Sequence, residues 1–203
     1  MPLQAASEYP YGTEPNPFLV SASSFLERGA VLSLGEGEGR NAVFLASLGH
    51  SVLGVDCSAD ALDRARRLAI ERGVPLELHC ADLSTFELEE AQFQTIVSIF
   101  CHLPPRVRRR VHAQVVRALR PGGMFVFEAF RPEQLTFGTG GPTELALLPT
   151  KEEILSELRG LDILRVGQVE RLLDEGIRHV GPCAVLELIA RKPYVHRPKG
   201  PVN

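Results

Sequence analysis

The stretch Ala30-Val31-Leu32-Ser33-Leu34-Gly35-Glu36-Gly37-Glu38-Gly39-Arg40-Asn41 decides the fold. An apolar run enters three glycines at alternate positions. Apolar residues at helical spacing follow, at Ala42, Val43, Leu45 and Ala46. The pattern reads as strand, tight turn and helix. Glycines let the backbone turn sharply and approach a ligand with no Cβ in the way. Free N–H groups at the start of the helix can then meet polar groups of that ligand.

One unit later, Ser51-Val52-Leu53-Gly54-Val55-Asp56 reads as a second short strand ending in an acid. A carboxylate there can accept hydrogen bonds from two ribose hydroxyls. A glycine loop followed by a ribose acid implies a nucleoside-containing ligand on a doubly wound sheet. Gly37-Glu38-Gly39-Arg40-Asn41-Ala42 fits G-x-G-x-x-A, so a dinucleotide stays open at this point.

Two later stretches point elsewhere. Cys80-Ala81-Asp82-Leu83 follows a third strand, and Leu119-Arg120-Pro121-Gly122-Gly123 closes a helix and opens an apolar strand. In this order the four features resemble the class I S-adenosylmethionine-dependent methyltransferases over roughly residues 30 to 130. Tyr11-Gly12-Thr13-Glu14-Pro15-Asn16, Arg40-Asn41, His102-Leu103-Pro104 and the glycine-rich stretch from Phe130 to Pro149 extend it. They resemble a bacterial branch near the tellurite-resistance and thiopurine-type enzymes.

The resemblance implies S-adenosylmethionine as cofactor. It implies a binding set of Gly35, Glu36, Gly37, Gly39, Arg40, Asn41, Asp56, Cys57, Asp82, Leu83 and Phe100. Asp56 would take the ribose, Asp82 the adenine amino group and Leu83 the adenine face. Glu36 or Glu38 could reach the cationic methionine end. The chain departs from the family pattern at two places. An acid often precedes the glycines inside strand one, where this chain has Ser33, and Glu36 fills a slot often held by a small residue or cysteine.

His102 follows the fourth strand, in a loop that borders the transferable methyl in such folds. It is the candidate catalytic residue. A histidine there can take a proton near neutral pH or simply shape the pocket by hydrogen bonding. Bland readings stand beside the others: Asp56 as a helix cap, Asp82 as a turn cap around Ser84, Leu83 as core.

Composition fits this class. Of 203 residues, 44% are hydrophobic and 23% charged, with a net charge of −3. No general field favours nucleic acid or an anionic membrane. No apolar run is long enough to span a bilayer, and Met1 to Pro10 has no signal-peptide pattern. The four cysteines form no C-x-x-C pair and read as reduced and mostly buried, which makes the cytoplasm the default. The six histidines show no ligand spacing, so no metal is expected. The arginines 106, 109, 110, 117 and 120 share one helix face, read as solvated.

The expected fold is α/β: a doubly wound, mostly parallel, seven-stranded sheet with helices on both faces and a C-terminal antiparallel hairpin. Residues 1–195 read as one domain, with 1–29 as an N-terminal lid segment and helix, and 196–203 as a frayed tail. A helix is expected from Phe18 to Arg28, ended by Gly29. The function expected is methyl transfer to a small molecule, with soft sulfur, selenium or tellurium nucleophiles among the acceptors. A nucleotide-dependent oxidoreductase and a non-catalytic S-adenosylmethionine binder are the alternatives.

Overall fold

The computed structural model describes residues 9–194, so the segment before Tyr9 and the tail 196–203 lie outside the described residues. Seven strands form one sheet in the order β3-β2-β1-β4-β5-β7-β6. They are β1 (Ala30–Leu34), β2 (Ser51–Asp56), β3 (Glu77–Cys80), β4 (Phe93–Ile99), β5 (Leu119–Phe130), β6 (Asp162–Asp174) and β7 (Val180–Arg191). The first five are mutually parallel; β7 is antiparallel to both β5 and β6. The doubly wound, mostly parallel sheet expected from the β–α alternation is thus the one observed, and the terminal antiparallel hairpin that the methyltransferase resemblance implies is present.

Strands buried on both faces read as unbroken apolar runs. Neighbouring residues of one strand therefore enter different cores. Val31, Val97 and Val126 pack with Phe18 and Leu19 of α1 (Pro17–Ala22) and with Ala42 and Leu45 of α2 (Arg40–Ser47). Leu32, Ile96, Phe125 and Phe127 pack with Val111 and Val115 of α4 (Pro105–Ala118) and Ile154 of α5 (Lys151–Glu157). Leu68 and Ala69 of α3 (Ala59–Glu71) join Val43 and Tyr9 on the α2 side.

The capping signals act as read. The Ser58 hydroxyl accepts from the Ala61 N–H at 3.2 Å, and Thr150 with Glu153 forms a reciprocal capping box.

Two expectations need correction. The first helix stops at Ala22 and passes into a 3-10 turn, Ser23–Phe25, rather than running to Arg28. The hydroxyls of Ser21, Ser23 and Ser24 bond back to carbonyls three residues earlier and compete with the helix. Phe25 is 63% exposed, so no packing sustains another turn. The cysteines are all free but not mostly buried: Cys57 and Cys80 are exposed, and only Cys183 is fully inside. Both exposed thiols stand at carboxyl ends near the sheet edge, where β3 is itself largely uncovered.

The arginine face is solvated at positions 106, 109, 117 and 120. Arg110 instead folds back to the carbonyls of Leu83 and Phe86, at 3.1 Å each, and pairs with Glu87.

Candidate active site

A cavity of about 570 Å³ opens at the carboxyl ends of β1, β2 and β4. This is where open α/β sheets place their ligands. Its floor is the glycine loop. Gly35, Gly37 and Gly39 all have positive φ, at 63°, 65° and 98°, a region costly for residues with a Cβ. Their reasons differ. A Cβ on Gly35 would sit 2.6 Å from Cys101 Sγ, and one on Gly39 would sit 2.7 Å from Ala65 Cα, so these two serve close packing. Gly37 has nothing within 4 Å of that position and faces open space, as a ligand cradle requires.

Asp56 stands beside it. Its Oδ2 accepts from the Gly37 N–H and its Oδ1 from the Ser58 N–H, both at 2.9 Å. One carboxylate thus meets both the glycine loop and the flank of α3. Glu38 is drawn to Arg64 of α3, at 3.0 Å. Cys101 packs over Gly35, and burial pushes its thiol up to about 12, which leaves it no thiolate character.

The opposite wall is aromatic. Phe100, at the end of β4, has φ 52°, a strained conformation of the kind that gathers at functional sites. Its N–H donates to the Glu128 carbonyl at 2.8 Å. The His102 ring lies nearly parallel to Phe130, with centroids 5.4 Å apart and planes 11° apart. His179 meets Phe100 and Tyr11 edge-on, at 5.0 and 4.7 Å. The Nε2 of His102 is buried without a hydrogen-bond partner. Burial first, then the nearby His179, lowers its pKa to about 4, against a backbone hydrogen bond at Phe100. At neutral pH the ring is uncharged, and Nε2 is free to accept a hydrogen bond.

A buried charge network ties the wall to the floor. Arg40 donates to Glu175 Oε2 at 2.7 Å, across 135 residues of sequence. Arg171 reaches Oε1 of both Glu128 and Glu175, each at 3.1 Å. The Asn16 amide donates to Glu128 at 2.5 Å and to Glu175 at 3.2 Å, while the Asn16 backbone N–H donates to the Asn41 side chain at 3.0 Å. The two carboxylates split. Burial, with Glu175 adding to it, pushes Glu128 up to about 7 despite Arg171. Burial also works to raise Glu175, but His179, Arg40 and Arg171 outweigh it and hold it at about 2.

Of the residues singled out from sequence, Gly35, Glu36, Gly37, Glu38, Arg40, Asn41, Asp56, Phe100 and His102 line this cavity. Gly39 lies behind it, against α3. Cys57 is exposed at the end of β2. Asp82 is exposed too, and its Oδ1 accepts from the Ser84 N–H at 2.7 Å, which lowers its pKa. Leu83 is buried in the core on the α4 side. Arg178 and His179 also line the cavity, and sequence reading missed them. They follow the Asp174-Glu175-Gly176 turn of the β6–β7 hairpin, and no local motif marks them. Tyr11 and Gly12, from the N-terminal segment expected to act as a lid, and Gly140 to Pro142, from the glycine-rich stretch after β5, also line the cavity.

Comparison with known proteins gives this geometry its family. Residues 31–123 match the family described as "Methyltransferase domain". The 2-heptyl-1-hydroxyquinolin-4(1H)-one methyltransferase of Mycobacteroides abscessus is 29% identical over 169 residues, 79% of this chain and 73% of that one. A carboxy-S-adenosyl-L-methionine synthase of Actinobacillus succinogenes is 32% identical over 84 residues; that match covers 40% of this chain and only 35% of the relative's length. The crystal structure of TehB from Haemophilus influenzae shares the fold with a TM-score of 0.74 at 18% identity, over 87% of this chain and 62% of that one. The family match covers a little under half of the chain, and TehB shares its fold; the chain is an S-adenosylmethionine-dependent methyltransferase, with S-adenosylmethionine as its cofactor.

Among the described residues no helix is long and apolar enough to cross a membrane.

Proposed function

We propose that the protein methylates a small molecule whose reacting atom sits on a flat, aromatic ring, with a hydroxyl as the preferred acceptor. The observation that carries this reading is the buried, neutral, unpartnered Nε2 of His102, stacked on Phe130 in the same cavity as the glycine loop and Asp56. An aromatic acceptor suits a wall of parallel and edge-on rings. The quinolone enzyme of M. abscessus, named for an N-hydroxylated aromatic heterocycle, supports the same class.

The residues present fit the cofactor. Gly37 offers an open backbone face, and the Asp56 carboxylate has lone pairs left for ribose hydroxyls. Arg40 and Asn41 hold the start of α2 against the wall. The roles of Cys57, Asp82 and Leu83 at the adenine rest on the family resemblance alone. When bound, the cofactor supplies a methyl group activated by a sulfonium. His102 would accept the acceptor's hydroxyl proton on Nε2 and pass it to solvent, while the aromatic wall holds the ring in line and excludes water. A thiol or other soft nucleophile would ionise unaided and would need no such base.

We take residues 1–195 as one methyltransferase domain, since the described residues share one sheet, and the four free cysteines support a cytoplasmic setting. A labelled-methyl assay over phenols, hydroxylated heterocycles, thiols and metalloid oxyanions tests the proposal. Incorporation into a hydroxylated aromatic is the expected result; incorporation into thiols or oxyanions alone would replace it with the soft-nucleophile reading. Calorimetric binding of NAD tighter than S-adenosylmethionine would favour an oxidoreductase, and binding of cofactor with no transfer to any acceptor would favour a non-catalytic binder.

A further inference from the structure

The two departures from the family pattern, Ser33 and Glu36, meet in space. Ser33 of β1 and Gly54 of β2 are register partners. One side chain is small and the other absent, so the pair leaves a slot at the carboxyl end of the sheet. The Glu36 stem fills it: a Cβ built on Gly54 would sit 3.1 Å from Glu36 Cγ.

The Glu36 carboxylate is 7% exposed but lines the cavity. One oxygen accepts from the Ser33 hydroxyl. The other accepts from the Ala42 N–H at 3.0 Å, one of the amides that the helix start leaves open. The Glu36 N–H itself donates to the Val55 carbonyl at 3.1 Å. One residue thus ties β1, β2 and α2 together around the cavity. The charged groups facing it are Arg40 from α2 and Asp56 from the end of β2. Leu78 packs on the same slot from β3, and Cys101, beyond β4, packs on the loop at Gly35.

We infer that Glu36 reads the positive charge of the cofactor, and that cofactor binding drives its carboxyl to ionise and release a proton. The inference rests on the methyltransferase reading. In the free protein burial raises the Glu36 pKa to about 7, with Asp56 adding to it; the Ser33 hydroxyl, the Ala42 N–H and Arg40 work against it. Near neutral pH the group is therefore shared between both forms. A cation arriving at the cavity favours the charged form, and the freed proton goes to buffer.

The test is calorimetric titration of the unmutated protein at pH 6.5, in two buffers of different ionisation enthalpy. S-adenosylmethionine should release a substantial fraction of one proton. Its demethylated product, with one positive charge fewer, should release less. In Glu36→Gln the release should vanish, S-adenosylmethionine should bind roughly tenfold more weakly, as one pKa unit implies, and the product should lose less. Wild type binding S-adenosylmethionine without proton release would overturn the inference, whether or not the variant folds. So would a folded Glu36→Gln protein with an unchanged ratio of the two affinities. Wild type that binds neither ligand would overturn the methyltransferase reading and this inference with it.

Discussion

Two clusters of buried charge lie on different sides of this molecule. Between α4 and α5, Arg108 grips both oxygens of Glu157 at 3.0 to 3.2 Å, and His112 adds a contact at 2.7 Å. Although burial works to raise Glu157, those partners together lower it. Around the cavity, Asn16, Arg40, Glu128, Arg171 and Glu175 also bury charge, but their carboxylates are pushed apart, to about 7 and about 2. The first cluster joins two helices and points at nothing. The second joins the N-terminal strap, α2, β5 and the hairpin, and borders open space. Buried charge is common to both clusters; what sets the second apart is the splitting of its carboxylates beside a cavity.

The sharpest test of the cavity side is His102→Ala. Loss of a general base costs ~10²–10⁴-fold in rate, with little change in cofactor affinity. The wild-type rate should fall as pH drops toward the His102 pKa of about 4 and the ring becomes charged. A variant with the wild-type maximal rate on a hydroxylated aromatic would reduce His102 to a shaping role.

On the helix side, Glu157→Ala should cost about 3–5 kcal/mol of stability, because it leaves the buried Arg108 with only the longer, half-exposed pair to Glu153 at 3.4 Å. Urea unfolding measures this, and calorimetry should show cofactor affinity unchanged. A large loss of affinity would erase the distinction between the clusters.

Asp56→Ala should reverse that pattern. It should weaken cofactor binding by about 1–3 kcal/mol through lost charged hydrogen bonds, with the melting temperature nearly preserved, since the carboxylate is only half-buried at a strand end.

The smallest effect separates the two carboxylates. Glu128 has a folded pKa raised from 4.5 to about 7. Its contribution to stability is therefore complete below pH 4.5 and lost as pH rises through 7. Glu175 is lowered to about 2, so its contribution is lost only as pH falls from 4.5 through 2. Between pH 5 and 8 only Glu128 of the pair should titrate. Glu128→Gln should gain on wild type by about 1–2 kcal/mol across that range in urea unfolding; a constant difference would show the two carboxylates to be alike.

What was legible in the sequence follows from range. The glycine loop, Asp56, the Ser58 and Thr150 caps and the hairpin are local patterns, and all appear where their residues placed them. The partners of the loop are not local. Nothing near Arg40 announces Glu175, and nothing near Asn16 announces Glu128. His179 carries no motif because its neighbours Tyr11 and Phe100 come from other parts of the chain. Asp82 has a local turn partner in Ser84, and that contact is the one observed. The helix after Asn16 is shorter than its apolar spacing predicts because three serine hydroxyls compete for its carbonyls.

The close approach of the strap to the hairpin carries a consequence for synthesis. A Cβ on Gly176 would sit 2.4 Å from both the Gly12 nitrogen and the Pro10 carbonyl oxygen, so the two backbones touch. The Arg178 N–H donates to that same carbonyl at 3.1 Å. As the chain leaves the ribosome, the glycine loop and its Asp56 strand emerge early, while Glu175 and His179 come near the end. Until they arrive, Arg40 lacks its acid, Asn16 has Glu128 but not Glu175, and the N-terminal strap rests on α2 and α3 without its contacts to the hairpin. The glycine-loop floor of the cavity exists long before its roof, so a nascent chain halted before the hairpin would hold the loop open to solvent.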